Sequence, residues 1–207
     1  MNTFYDCKKF EKDCIPKADK LLNKAGAEYV RWKYSEFVGK TMQNKDIDLT
    51  MKVDGFNNGY CHISEKFRSG DYGDMMIELY SNYKGNVWDA KQGWGMNTEA
   101  DYIFYYTPER TYIVNAKQLK LVATRIHQRL FNNMYNILGM PLDEYFSKHG
   151  DFFDHHVKIT PIGEADIRVF KIPTVAADNT YYGICITSDW ETLEKLGVEV
   201  TKYDSIF

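Results

Sequence analysis

A chain of 207 residues that is 44% hydrophobic and 15% aromatic holds enough apolar material for one sizeable core, which excludes a disordered protein. Its net charge of −3 excludes a uniformly basic nucleic-acid coat but leaves room for a local basic patch around acidic groups. Four cysteines, Cys7, Cys14, Cys61 and Cys185, form no C-x-x-C pair, so the pattern argues against a zinc site or disulfide framework and for a reducing, cytoplasmic setting.

Apolar runs such as YIFYY at 102–106 fall far short of the roughly 20 residues of a membrane-spanning helix. The charged start MNTFYDCKKFEKDC predicts no secretion signal and no membrane partner. Residues 16–39 then carry Leu21, Leu22, Ala25, Tyr29, Val30, Trp32, Phe37 and Val38 at roughly helical spacing between Pro16 and Gly39, predicting one or two opening helices. KDIDLTMKV at 45–53 alternates, with Ile47, Leu49, Met51 and Val53 on one face of a half-buried strand. The turn residues of DGFNNG lead into a second alternating stretch, YCHISEKFR, so the pair reads as a β-hairpin.

Matching the apolar faces predicts Val53 opposite Cys61, Met51 opposite Ile63 and Ile47 opposite Phe67. That register sets Asp48 opposite Lys66 and Asp46 opposite Arg68. DMMIELYSN follows the turn SGDYG as a third strand, with Asp74, Met76, Glu78 and Tyr80 on one face; in a simple meander Asp48, Lys66 and Glu78 converge. After a Gly- and Trp-containing connection at 84–97, ADYIFYYTP and TYIVNA read as strands joined at PER, and 115–131 reads as a helix. Pro141 and SKHGDFFDHH suggest a boundary near 140, dividing a 1–140 α/β domain from a β-rich extension, 141–207, packed on it. In that extension VKITPI, IRVFKI and YYGICIT read as strands, and SDWETLEKLG as a helix capped by Ser188 and Glu191. The predicted class is α+β, or mixed α/β: a mostly β central sheet containing an antiparallel hairpin meander, flanked by helices.

Two carboxylates and a lysine on neighbouring strands suit phosphodiester hydrolysis, which needs neutralised phosphate oxygens, an activated water and a stabilised leaving group. The helix-then-three-strand order, with DIDL at 46–49, SEKFR at 64–68 and IELYS at 77–81, resembles the PD-(D/E)XK nuclease superfamily. That resemblance implies Mg²⁺- or Mn²⁺-dependent endonucleolytic cleavage of DNA, with an acidic residue on the first helix sometimes assisting. Its implied site has Asp48 and Glu78 as metal ligands, Lys66 at the attacking water or scissile phosphate, and Glu65 and Asp74 as alternative ligands. Ser64 stands where an E-x-K motif ending at Lys66 has an acid, and Tyr80 where one starting at Glu78 has lysine, so the signature is split over two strands.

The same residues also fit an ion-paired, solvated sheet face. The functions that go with it are a non-catalytic binding or assembly module, or a component of a larger particle, as a homo-oligomer or with a protein partner. Glu65 is the telling residue, because a carboxylate on an apolar strand face is costly unless it is paired or metal-bound. Asp71 and Asp74 read as turn residues, and Asp151, Asp154, His155 and His156 as a loop. Lys117, Lys120, Arg125 and Arg129 are candidate phosphate contacts. Tyr102, Tyr105, Tyr106, Trp88 and Trp94 are candidate base-stacking groups.

Overall fold

The computed structural model describes residues 4–83, 90–159, 161–173 and 182–206. The chain begins α1 (Phe4–Lys24), β1 (Tyr29–Arg31), α2 (Phe37–Asn44), β2 (Leu49–Lys52), β3 (Tyr60–Phe67) and β4 (Asp74–Tyr83). It continues α3 (Trp94–Asn97), β5 (Tyr102–Tyr106), β6 (Arg110–Asn115), α4 (Ala116–Phe131), α5 (Met134–Leu138) and α6 (Leu142–His149). The last elements are β7 (Phe152–Ile159), β8 (Gly163–Pro173), β9 (Tyr182–Asp189), α7 (Trp190–Lys195) and β10 (Val200–Asp204). The class is α+β, with one mixed sheet and one antiparallel sheet. Among the described residues no helix is long and apolar enough to cross a membrane.

Two compact units share the chain: residues 1–72, 98–117 and 199–207 form one, and 73–97 with 118–198 form the other. Both cross the boundary near 140 drawn from the sequence.

The first unit is built on a six-stranded sheet of order β1-β2-β3-β5-β6-β10, in which β3 and β5 run parallel and the other neighbours antiparallel. Cys14, Ala18 and Leu22 recur every fourth residue along α1 and are all buried, the narrow stripe expected of a helix packed by one face. Leu22 joins Leu49, Cys61 and Ile63 in the core. α1 ends in a Schellman motif at Gly26, whose φ of 72° suits a residue without a Cβ. The chain then enters β1, so Tyr29 and Val30 are strand residues and not the helical ones their spacing suggested; aromatic and β-branched side chains favour that outcome.

The second unit holds an antiparallel sheet of order β4-β9-β8-β7. β4 therefore pairs with β9, and β3 has β2 and β5 as its neighbours, which overturns the predicted three-strand meander. The stretch 152–156, expected as a loop, belongs to β7: Phe153 is buried while Asp154 pairs with Arg168 and His156 with Asp166 across to β8. The cap of α7 shifts by one residue from Ser188 to Asp189, which accepts from the Thr192 amide at 2.7 Å.

Close packing explains the glycines of the connection after β4. A Cβ on Gly95 would sit 2.3 Å from Ile77 Cγ2 and 2.9 Å from the Glu78 carbonyl oxygen, and Ile77 is fully buried. Gly95→Ala is expected to destabilise the protein by about 1–3 kcal/mol, read as a lower urea midpoint at unchanged slope.

Candidate functional site

β2 and β3 pair two residues out of the predicted register, with Leu49 opposite Ile63 and Met51 opposite Cys61. A two-residue slip keeps every side chain on its face but changes every partner. Lys66 consequently meets Asp46, not Asp48, with Nζ 2.5 Å from Oδ1. Arg68, predicted opposite Asp46, instead stacks on Tyr72 and reaches the Tyr105 hydroxyl at 3.3 Å.

Asp46 is placed by the end of α2. Its amide donates to the Gln43 carbonyl and the Ile47 amide to that of Met42, the two bonds of a Schellman motif, and its φ is 58°. α1 fills the equivalent position with Gly26; here an aspartate holds the left-handed conformation, which costs an L-residue about 1–2 kcal/mol. The motif nevertheless places a carboxylate at the entrance to β2. Two residues on, Asp48 accepts a 2.7 Å hydrogen bond from the Glu65 amide.

Ser64, standing where the resemblance wanted an acid, lies between these carboxylates. Its hydroxyl donates to Asp46 Oδ2 at 2.8 Å and lies 3.5 Å from Asp48 Oδ2. Burial pushes the Asp48 carboxyl above the ordinary aspartate range; Lys66 opposes the shift and Asp46 adds to it. Burial works against the Lys66 charge, but Asp46 and Asp48 outweigh it and hold the ammonium above the usual lysine range. Lys66 is thus a cation at neutral pH and not a base.

Glu65 has a different task. Its side chain is 2% exposed and forms an ion pair with Arg31 Nη1, while its other oxygen accepts from the Tyr106 hydroxyl at 3.1 Å. Arg31 continues to Asp19 on α1, with contacts of 2.8 and 3.0 Å, and Tyr29 donates to the same Asp19 oxygen at 2.9 Å. The carboxylate that looked costly on an apolar face is satisfied by this network through both of its oxygens. Burial still pushes its carboxyl upward, with Arg31 limiting the shift.

Glu78 and Asp74 lie on β4, in the other unit's sheet, so β4 is not the strand beside Lys66 and the split motif is not assembled by strand pairing. Glu78 accepts from the Ser81 hydroxyl at 3.2 Å and sits under the close backbone approach of Gly93. Among the described residues no group of three or more His, Cys, Asp or Glu is arranged around a metal position. Mg²⁺ commonly takes one or two carboxylates and completes its shell with water and phosphate oxygens.

Matched against known protein families, curated proteins and solved structures, the chain gives no significant match.

Beside Asp48 lies a cavity of about 280 Å³, lined in part by Glu11 of α1, Arg31, Trp32, Tyr34, Asp48 and Glu65. Among the other candidates, Arg125 and Arg129 line a separate polar cavity of about 250 Å³ with Gln128, Asn132 and Asn133, while Lys117 approaches Asp101 at 3.5 Å. Tyr105 and Tyr106 are core residues, Tyr102 packs against Phe56, and Trp94 opens α3 half-buried. Trp88 lies outside the described residues. Arg31 escaped detection because its segment looked helical, and Asp46 because parity alone does not separate it from Asp48.

Proposed function

We propose that the protein is a Mg²⁺-dependent phosphodiesterase acting on DNA, nuclease-like in the sense of the PD-(D/E)XK superfamily, with Asp46, Asp48 and Lys66 as its working groups. The observation that carries this reading is the pair of carboxylates about the Ser64 hydroxyl within β3, with Lys66 bound to one of them.

Asp46 and Asp48 would hold the cation, and Ser64 would keep the Asp46 carboxylate oriented. A bound Mg²⁺ supplies charge neutralisation on a phosphate oxygen and a more acidic water. Lys66, protonated at neutral pH, adds a positive charge against the phosphate as negative charge grows on it. Glu65 is a positioning residue, since its own amide holds Asp48. The free, buried Cys14, Cys61 and Cys185 fit a reducing, cytoplasmic setting.

The competing reading is a non-catalytic binding module, favoured by the 2.5 Å Lys66–Asp46 pair, which already neutralises one carboxylate without a metal. The two separate on addition of metal. A catalytic site is expected to nick DNA with Mg²⁺ or Mn²⁺ and not with EDTA, and the same ions are expected to raise Tm. Absence of both effects would discard the enzyme reading.

A further inference from the structure

Between β1 and α2 the chain reads RWKYSEFVGK, residues 31–40, and it exposes what a folded protein ordinarily covers. Phe37 is 89% exposed, and Tyr34 is 59% exposed with Lys40 Nζ 5.7 Å from its ring centre. Lys33 and Lys40 are exposed, no ion pair occupies either among the described residues, and Glu36 is the segment's one carboxylate.

The segment is also held in place. A Cβ on Gly39 would lie 2.1 Å from the Lys33 carbonyl oxygen, so α2 reaches the loop only because that side chain is missing. Gln43 Nε2 donates to the Trp32 carbonyl at 3.0 Å, the Trp32 amide to the Asp48 carbonyl at 2.8 Å, and the Trp32 indole to Thr50 Oγ1 at 2.9 Å. Trp32, Lys33 and Tyr34 line the same cavity as Asp48 and Glu65, so one surface runs from the Tyr34 ring to Asp48.

We propose that residues 33–40 form a docking platform for single-stranded nucleic acid, with Tyr34 and Phe37 stacking unpaired bases and Lys33 and Lys40 meeting the phosphates. The proposal rests on the nuclease reading for its orientation: a strand lying on the platform delivers a phosphodiester to Asp46, Asp48 and Lys66. Ring faces of this kind are useful to unpaired bases, because bases in a duplex already stack on their neighbours. Lysines beside exposed rings favour nucleic acid over a protein partner, since lysine is depleted from the cores of protein interfaces. The rigid mounting means that little order has to be imposed when the strand arrives.

The test is fluorescence anisotropy in EDTA with a short labelled oligothymidylate and with a duplex of equal length, for the wild type, Tyr34→Ala and Phe37→Ala. Both side chains are exposed, so both variants are expected to keep the wild-type Tm. Each is expected to weaken single-strand binding by about 5- to 100-fold, and the duplex to bind more weakly than the single strand. Unchanged affinity in both variants, preference for the duplex, or no binding by the wild type overturns the proposal. So does a Phe37→Ala variant that dissociates a self-associated form without altering oligonucleotide affinity, which makes the surface a protein interface. Binding without metal-dependent cleavage removes the catalytic reading and leaves the platform standing, whereas cleavage with indifferent Tyr34 and Phe37 does the reverse.

Discussion

Replacing Arg31 by methionine is expected to destabilise the protein by about 3–5 kcal/mol, because it leaves Glu65 buried without its cation. The side chains of Arg31 and Glu65 are 19% and 2% exposed, so water does little to replace the lost partner. Tyr106 still donates to Glu65, but a neutral hydroxyl does not balance a carboxylate charge. The loss is expected to depend on pH. Burial already raises the Glu65 carboxyl above its unfolded value, and removing Arg31 takes away the group that limits the shift. A carboxyl with a raised folded pKa contributes stability below its unfolded value and loses it as pH rises through the folded one. The variant's deficit should therefore shrink as pH falls toward the carboxylate range, and urea titrations across pH read it directly. In the double variant Arg31→Met with Glu65→Met most of the loss is expected to return, since an apolar pair of similar volume often replaces a buried ion pair at little cost. A full deficit persisting at low pH would mean that Arg31 acts through packing and Asp19 alone.

The elements that sequence made legible are those whose side-chain pattern is local. The alternation of YIFYY and TYIVNA and the helical period of 116–131 each describe one element, and each is where it was expected. Partnership is not local. DMMIELYSN alternates as a strand whichever sheet it joins, and nothing in its residues distinguishes β3 from β9 as its neighbour. Register has the same weakness: Asp46 and Asp48 share a parity, so face matching alone accepts either opposite Lys66. In the observed register Asp46 also ends α2, an aspartate in a glycine's position, which the sequence does not advertise. Glu65, by contrast, was flagged by being charged among Ile63 and Phe67, and that flag led to a buried partner in Arg31. The aromatics picked as base-stacking candidates from strand sequences lie in or against the core, whereas Tyr34 and Phe37, read as helix residues, are the exposed ones.

Asp48→Asn is expected to have opposite effects on activity and stability. On the nuclease reading it lowers Mg²⁺-dependent cleavage by about a hundredfold or more, since a metal held by one carboxylate in place of two loses several kcal/mol of charge stabilisation in the transition state. At neutral pH it is expected to raise Tm. The Asp48 carboxyl is raised by burial, with Asp46 adding and Lys66 opposing, so the native state binds its proton more tightly than the unfolded chain does. Ionised Asp48 therefore costs the fold nothing below the unfolded value of about 3.9, and its cost grows as pH rises through the folded value. An amide of the same shape still accepts from the Glu65 amide and carries none of that cost, and Lys66 keeps Asp46 as its 2.5 Å partner. The stabilisation should appear as a Tm difference that is absent near pH 3.5 and grows as pH rises. Mg²⁺ should narrow that difference by raising the wild type alone, because binding to the folded state stabilises it by mass action. If Asp48→Asn melts lower at pH 7 and Mg²⁺ shifts neither protein, Asp48 is a structural acceptor for β3, and the carboxylate pair has no work to do with a metal.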